Sequence, residues 1–265
     1  MNDQDLNKLH KPIISVITVV FNGEEYIEET IKSVVSQKDS YIEYIVVDGK
    51  SSDSTLEIIN EYKSRIDYII SEKDDGIYHA MNKGASIANG KYLCFLNASD
   101  IYFSGTLNDV YSKSLKENFD YFIAPAVIRG QDNIDLRIKY PIQNFSYQEG
   151  KYMGMPAPHL SVFVKKIIFD ELGGYDLKFR ISSDYDFLLR LSKNTSNFVY
   201  WEEPIGAFRL GGISGSFKIY LENYKIGIKH KIPKLQMIFI TLWFLSKHFL
   251  KVLLPNRIVK KISRN

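Results

Sequence analysis

Cysteine is nearly absent from this chain: Cys94 is the only one in 265 residues, so an internal disulfide is excluded. It lies in an apolar run, where a small buried core residue is expected rather than a nucleophile. Acids and bases nearly balance, and a formal net charge of +3 is too small to indicate a nucleic-acid partner. Residues 1–11 lack the apolar stretch of a signal peptide, so we expect the folded part to stay in the cytoplasm.

Three glycine-rich nucleotide-binding motifs are also missing. No G-x-G-x-x-G follows the first predicted strand, which argues against a dinucleotide-dependent dehydrogenase. Residues 49–51 resemble the end of a P-loop, but Tyr44 stands where that motif needs its first glycine. The loop after the first strand also lacks the long glycine run of a pyrophosphorylase. A nucleotide would therefore be held by strand ends, without a phosphate-cradling loop.

What the chain does contain is a regular α/β pattern. Hydrophobic residues make up 45% of it, which is enough for a sizeable core. Runs rich in β-branched residues alternate with segments of helical periodicity, and this alternation predicts βαβ units around a parallel sheet. The strands predicted in the first hundred residues cover 13–20, 41–48, 68–71 and 92–96, and the helix before the last of them covers 77–89.

The pattern loosens after Asp100. The elements predicted there are a helix at 107–117, hairpin strands at 121–129 and 134–140, an irregular loop at 141–158, a strand at 160–164, a helix at 166–172 and a helix from about 184. Antiparallel pieces of this kind sit at the edge of a sheet. The fold class is therefore α/β, with a mixed, mainly parallel central sheet flanked by helices.

Polar residues at the strand ends mark the candidate site, because ligands of an open parallel sheet bind beyond the carboxyl ends of its strands. Asp48 can accept a hydrogen bond from a base imide N–H, as in uracil, and Phe21 offers an aromatic face. Asp100 is placed for a divalent ion that also binds phosphate oxygens. The alternatives are a loop-capping acid for Asp48 and a helix N-cap for Asp100, but their positions at adjacent strand ends favour a site.

Five segments, taken in order, resemble a known family. Residues 17–22 read ITVVFN, 46–55 read VVDGKSSDST, 71–84 read SEKDDGIYHAMNKG, 95–100 read FLNASD and 182–191 read SSDYDFLLRL. These resemble the motifs of the family 2 glycosyltransferases, the inverting group with the Rossmann-like GT-A fold. The resemblance covers about residues 13–216, and within the family it is similar to enzymes of capsule, lipopolysaccharide and exopolysaccharide assembly.

The resemblance implies transfer of a sugar from a nucleoside-diphosphate sugar, with a UDP-sugar favoured, to a hydroxyl of a glycan or lipid-linked acceptor. It makes Asp184 the general base and Asp100 the ligand of a divalent cation, Mn²⁺ or Mg²⁺. It assigns donor binding to Thr18, Phe21, Asn22, Asp48, Asp75, Asn82, Asn97 and Arg209. His159 and Asp186 are further candidates on the acceptor side, although a lone histidine is more often structural.

The sequence departs from the family pattern in two motifs. Asn97 and Ser99 stand where acids are common in the metal motif, and this motivates an alternative, a nucleotide-sugar-binding partner subunit with weakened catalysis. A nucleotidyltransferase is a further alternative. Ser183 replaces the glutamate that usually precedes the base. Asp184 and Asp186 would point about 200° apart on a helix, so only one can face the site, and we read Asp186 as a supporting residue of the first turn.

The chain divides into a polar extension (1–12), a glycosyltransferase domain (13–216) and a tail (217–265), the domain comprising a nucleotide-sugar half (13–100) and an acceptor half (101–216). The tail is rich in Lys and Arg and holds one acid, Glu222. Its apolar stretch is broken by Lys247, His248 and Lys251, so an amphipathic helix lying on an anionic membrane is favoured over a spanning helix. We expect peripheral attachment to the inner face of the cell membrane. The alternative is a helix packed on the protein or on a second copy, in a homodimer.

Overall fold

The computed structural model describes residues 11–142, 155–211 and 218–253, with side chains described as far as residue 246. Several predicted features lie outside these residues. They are most of the polar extension, most of the loop expected at 141–158, the glycine-rich segment after Gly211, the end of the tail, and the side chains of Lys247, His248 and Lys251.

Two sheets make up the strand structure of the described residues. The strands are β1 (Ile14–Val20), β2 (Ile42–Asp48), β3 (Tyr68–Ser71), β4 (Tyr92–Asn97), β5 (Ile101–Tyr102), β6 (Tyr121–Ile123), β7 (Ala126–Arg129), β8 (Asp135–Lys139), β9 (Phe163–Lys165), β10 (Phe198–Tyr200) and β11 (Gly206–Arg209). Seven of them form the central sheet in the order β10-β6-β9-β4-β1-β2-β3, and four form a second sheet in the order β5-β11-β7-β8.

The helices cover both faces of the central sheet. They are α1 (Ile27–Val35), α2 (Thr55–Glu61), α3 (Ile77–Ile87), α4 (Thr106–Lys116), α5 (Lys166–Glu171), α6 (Ser183–Asn194), α7 (Lys218–Lys229) and α8 (Lys234–Leu253), with a 3₁₀ turn at His159–Ser161. Helices α1, α2 and α4 contribute to one core cluster, and α3, α5 and α6 contribute to the other. The predicted α/β class with a mainly parallel sheet is confirmed.

Strand β1 shows why the sequence folds this way. It lies between β2 and β4, parallel to both, and all seven of its residues are buried. Successive side chains of a strand point to opposite faces. Val16 therefore packs in one core cluster and Ile17 in the other, so the strand needs apolar residues on both faces. The first four strands begin and end within about a residue of their predicted bounds.

Two predicted strands in the second half were wrong. The single strand expected at 121–129 is two strands in different sheets, β6 and β7, because Pro125 between them has no N–H for a ladder. The strand expected at 160–164 begins as the 3₁₀ turn, in which the Ser161 hydroxyl donates to the Pro158 carbonyl at 2.8 Å. The strand proper, β9, pairs antiparallel with β4 and β6. The predicted hairpin of β7 and β8 is confirmed.

The tail forms two helices that pack on each other. A Cβ on Gly227 of α7 would clash with the sulfur of Met237 of α8, so the two helices meet closely at this glycine. Helix α7 also joins the core, where Ile226 packs with Leu189 of α6. Among the helices of the described residues, none combines the length and hydropathy that a membrane-spanning segment needs.

Candidate active site

A cavity of about 670 Å³ opens at the carboxyl ends of β1 and β4. Its walls come from distant parts of the chain, including β11, the segment before α6, and α7 of the tail. The site residues predicted from sequence that line it are Phe21, Asn22, Asn97, Asp100, His159, Asp184 and Arg209. Those that do not line it are Thr18, Asp48, Asp75, Asn82 and Asp186.

Asn97, the last residue of β4, and Asp100, just after that strand, present oxygen atoms with unused hydrogen-bond capacity. Asp100 is only 5% exposed, and burial raises the pKa of its carboxyl to about 7. Its hydrogen bonds are long, at 3.3 Å from Asn97 Nδ2, 3.4 Å from the Arg209 backbone N–H and 3.5 Å from the Ser99 hydroxyl. The Oδ1 atom of Asn97 is buried without a hydrogen-bond partner. A buried carboxylate beside an unpaired amide oxygen is the kind of ligand pair that hard cations prefer.

Arg209, at the end of β11, lies beside this carboxylate and makes several other contacts. Its guanidinium donates to Glu29 at 3.0 Å and to Asn133, and lies 4.4 Å from the centre of the Tyr26 ring. Its Nε atom is buried without a hydrogen-bond partner. Arg209 therefore brings a fixed positive charge to the cavity wall and keeps one donor free.

Asp184 is the second residue of α6, so the positive end of the helix dipole favours its charge. Its Oδ1 atom accepts a hydrogen bond from the Tyr185 backbone N–H at 2.9 Å and lies 2.9 Å from the Tyr78 hydroxyl. Burial, and then the charge of Asp184, raise the pKa of Tyr78 well above its ordinary value, so this hydroxyl stays protonated. The same hydroxyl lies 2.8 Å from the Ile181 carbonyl oxygen, and the two acceptors compete for its proton.

His159 and Lys139 lie on the same cavity as Asp184. The Nε2 atom of His159 is 3.0 Å from the Tyr175 hydroxyl, and burial lowers the histidine pKa, so the ring is neutral at pH 7. Lys139 ends β8, and burial lowers its pKa while the charge of Asp184 opposes that shift. Sequence reasoning missed Lys139, because nothing near it in the chain marks it as a site residue.

Asp48 and Thr18 are buried within the sheet instead of facing the cavity. The Asp48 carboxylate accepts hydrogen bonds from the Ser51 backbone N–H at 3.1 Å, from the Ser51 hydroxyl, and from the Ser71 hydroxyl at 2.6 Å. The Thr18 hydroxyl accepts one from the Tyr44 hydroxyl at 3.1 Å. In this structure Asp48 organises the loop after β2. Asn22 joins that loop from the other side, since its N–H donates to Ser51 Oγ at 2.8 Å.

Asp75 and Asn82 also do not line the cavity. The Asp75 backbone N–H donates to His79 Nδ1 at 3.0 Å at the start of α3. The Asn82 side chain donates to the Tyr175 carbonyl at 2.8 Å and accepts from the Tyr175 N–H at 2.9 Å, so its amide holds the turn before α6.

The neighbouring Asp74 has a carboxylate oxygen that is free to accept a hydrogen bond. Its Oδ2 atom is buried without a hydrogen-bond partner. A Cβ placed on Gly49 would lie 3.3 Å from this oxygen and 3.4 Å from the Phe21 ring. Asp74, Gly49 and Phe21 therefore surround one point beside the cavity. Asp74 lies in the motif at 71–84, but the family resemblance pointed to Asp75 and left Asp74 without a role.

Asp186, the other acid of α6, is fully buried away from the cavity. Arg190 Nε lies 2.8 Å from it, Lys229 Nζ 2.9 Å and His230 Nε2 3.0 Å. Burial opposes its ionisation, but these partners outweigh burial and lower the pKa below the usual aspartate value. Asp186 fastens α6 to the tail, in keeping with the supporting role read from the sequence.

A parallel sheet whose strand ends open on a carboxylate-lined cavity is the arrangement of a GT-A glycosyltransferase. The sequence matches the model of the glycosyl transferase family 2 over residues 15–196. An uncharacterized glycosyltransferase of Mycobacterium tuberculosis is 33% identical over 189 residues, which is 68% of this chain and 68% of that protein. The chain belongs to glycosyl transferase family 2, and it is a glycosyltransferase.

Solved structures share the fold. The crystal structure of S. aureus TarS in complex with UDP superposes with a TM-score of 0.66 at 18% identity, covering 89% of this chain and 72% of that one. A mannosyltransferase from Pyrobaculum calidifontis, solved with GDP-Man and Mn²⁺, superposes with a TM-score of 0.60 at 17% identity, covering 83% and 63%.

Proposed function

We propose that this glycosyltransferase moves a sugar from a nucleoside-diphosphate sugar, with a UDP-sugar favoured, to a hydroxyl of a glycan or lipid-linked acceptor. The anomeric centre is inverted, and the product enters a cell-surface polysaccharide. The observation that carries the proposal is that Asp100 and Asp184, from opposite halves of the domain, line one cavity. Structural neighbours solved with UDP and with GDP-Man support this class of donor.

The nucleobase lies against the exposed Phe21 ring in this proposal. The unpaired Oδ2 of Asp74 accepts an N–H of the base, because a buried acceptor without a partner gains most from a new donor. The missing side chain of Gly49 leaves the space between them. Asp48 acts indirectly, because it holds the loop after β2 in place without contacting the base.

Asp100 and Asn97 are the residues that would hold a divalent cation, since both bring oxygen atoms with unused capacity to one place. The described residues contain no cluster of three or more His, Cys, Asp or Glu side chains suited to a metal. Phosphate and water oxygens would therefore complete the shell. When bound, the cation would neutralise charge that develops on the diphosphate leaving group. Arg209 adds positive charge from the other side.

Asp184 takes the proton of the acceptor hydroxyl as that oxygen attacks the anomeric carbon. The Tyr185 backbone N–H holds its carboxylate in place at the start of α6. His159 is neutral and bonded to Tyr175, so it contributes shape and a hydrogen bond to the acceptor side, without charge.

The test of this mechanism is Asp184→Asn in the full chain. We expect binding of UDP with Mn²⁺ to be unchanged in a thermal-shift assay, while release of nucleoside diphosphate from the donor falls about 10²–10⁴-fold because the base is lost. Asp170→Asn, an exposed acid of α5, is the matched control and should keep wild-type turnover. Wild-type turnover in Asp184→Asn would remove Asp184 from the mechanism. Failure of every UDP-, GDP- and dTDP-sugar to stabilise the protein would remove the donor class.

Attachment to an anionic membrane on its inner, cytoplasmic face is part of the same proposal. Helix α8 exposes an apolar stripe at helical spacing. Its members are Leu235, Ile238, Phe239, Leu242 and Trp243. The exposed Lys231 and Lys234 lie just before the stripe, as suits anionic head groups. A lipid-linked acceptor would then meet the enzyme at the membrane surface.

A further inference from the structure

Helix α7 belongs to the tail and lies beyond the residues matched by the family model, yet it forms one wall of the cavity. Ile219 and Asn223, one turn apart on α7, line that wall. Asp184, Ser182 and Arg180 line the same cavity from the segment that leads into α6. The tail therefore contributes side chains to the site that carries the proposed base.

The only acid of the tail, Glu222, holds the segment that leads to Asp184. Its carboxylate accepts three backbone hydrogen bonds, from Arg180 at 2.9 Å, Ile181 at 2.8 Å and Ser182 at 3.0 Å. These three hydrogen bonds are charge-assisted, because their acceptor is a carboxylate. Such bonds are stronger than hydrogen bonds between neutral groups. Because Ser182 is two residues before Asp184, Glu222 fixes the backbone that places the base.

Beside this contact, two buried polar atoms lack partners. The Oδ1 atom of Asn223 and the hydroxyl of Ser182 are buried with no hydrogen-bond partner among the described residues. Both residues line the cavity. Asn223 follows Glu222 in α7, and Ser182 is one of the residues whose backbone N–H donates to Glu222. An unpaired buried acceptor and an unpaired buried hydroxyl are complementary to an alcohol, which both donates and accepts.

We propose that α7 forms the acceptor side of the active site. Glu222 is a positioning residue for Asp184, and Asn223 with Ser182 binds a hydroxyl of a sugar-bearing acceptor. This inference rests on the proposed function, since it takes Asp184 as the base and an alcohol as the acceptor. It assigns part of the site to the tail, which the sequence had placed outside the glycosyltransferase domain.

Glu222→Gln in the full-length protein tests the positioning role. A glutamine keeps the size of the side chain, but its NH₂ group cannot accept the N–H groups that the carboxylate accepts. We expect backbone amides 180–182 to exchange hydrogen at least about tenfold faster, since these charge-assisted bonds are lost. We also expect kcat for release of nucleoside diphosphate to fall about tenfold or more, with donor KM unchanged, because the base is misplaced.

Lys229→Ala is the matched control for Glu222→Gln. It removes the ion pairs of α7 to Asp176 and Asp186 but leaves the contacts to residues 180–182 intact. It should lower Tm, because the fully buried Asp186 loses one of its charged partners. It should keep kcat within about twofold, because the contacts to residues 180–182 remain. A kcat loss as large as that of Glu222→Gln would show general loosening and overturn the role of Glu222. So would unchanged exchange at amides 180–182 in Glu222→Gln.

Asn223→Ala tests the hydroxyl contact, with octyl glucoside, octyl galactoside and octyl mannoside as acceptor probes. We expect KM for the accepted octyl glycoside to rise about tenfold, because one hydrogen bond is lost, and donor KM to stay unchanged. Asn223→Asp keeps an acceptor oxygen at the same position and should restore most of the affinity. An unchanged glycoside KM in Asn223→Ala, or a wild-type enzyme that none of the glycosides stimulates, would overturn the contact.

The exchange measurement needs no substrate, so it separates this inference from the proposed function. If no donor turns over but amides 180–182 exchange faster in Glu222→Gln, the contact between Glu222 and residues 180–182 is supported. The proposed glycosyl transfer from these donors is then contradicted. If donors turn over normally in Glu222→Gln, transfer stands and the inference about α7 is overturned.

Discussion

Hydrogen-bond partners distinguish residues that keep a free buried oxygen from residues that the protein itself already engages. Asp48 and Asn82 were predicted for the donor site from their positions in motifs, but protein donors and acceptors already engage both. Asn97, Asp74 and Asn223 keep a buried oxygen without a partner. Residue type alone does not show this difference, because the partners come from distant parts of the chain.

Asn97→Asp is the sharpest test of the metal site at this scale. A second carboxylate beside Asp100 should tighten Mn²⁺ binding in the presence of UDP by about tenfold, because carboxylates are preferred ligands of hard cations. Without Mn²⁺ the two acids repel, so the variant should melt at a lower temperature than wild type. Isothermal titration with Mn²⁺ measures the first effect, with Ser99→Ala as control. Equal Mn²⁺ affinity in Asn97→Asp and wild type would place the cation elsewhere.

At the scale of elements, helix α8 carries apolar side chains on two opposite sides. One side, with Met237, packs on Gly227 of α7. The opposite side carries Phe239 and Trp243, which are 66% and 53% exposed. An exposed apolar face of this kind fits the proposed contact with an anionic lipid surface, and the exposed Lys231 and Lys234 just before it suit the head groups.

The double change Phe239→Ser and Trp243→Ser should therefore reduce co-sedimentation with phosphatidylglycerol vesicles by about tenfold or more, since burying each such side chain contributes about 1.5–3 kcal/mol. Tm should not fall, because both side chains are exposed. Ile167→Ser, which removes an equally exposed apolar side chain (63%) from α5, should bind vesicles like wild type. Undiminished vesicle binding in the double variant would exclude this face of α8, and a shift from dimer to monomer would point to a second copy as its partner.

At the scale of the whole molecule, one buried carboxylate joins the tail to the core. Asp186 of α6 meets Lys229 and His230 from the tail and Arg190 from its own helix. Removing one member of a buried charge cluster leaves the others uncompensated and is strongly destabilising. The tail and the glycosyltransferase domain should thus unfold together.

Asp186→Asn should lower the free energy of unfolding by about 3 kcal/mol at pH 7. The lowered pKa of Asp186 means that its ionised form stabilises the fold above the ordinary aspartate pKa. This stabilisation is lost as pH falls below that value toward the lowered one, so the gap between wild type and variant should narrow below about pH 4. Urea unfolding at pH 7 and at pH 3 measures the difference in unfolding free energy between wild type and variant at each pH. A gap that is the same at the two pH values would contradict the charge assignment.

The sequence by itself determined the α/β class, the first four strands and the family, because these depend on local periodicity and on contiguous motifs such as residues 71–84. It also marked Asp100, Asp184 and Arg209, which line one cavity. Only the tertiary structure decided that β6 and β7 belong to different sheets and that Glu222 of the tail holds the segment before Asp184. The physical reason is that strand partners, burial and hydrogen-bond satisfaction are set by groups far apart in the chain, and local pattern carries no record of them.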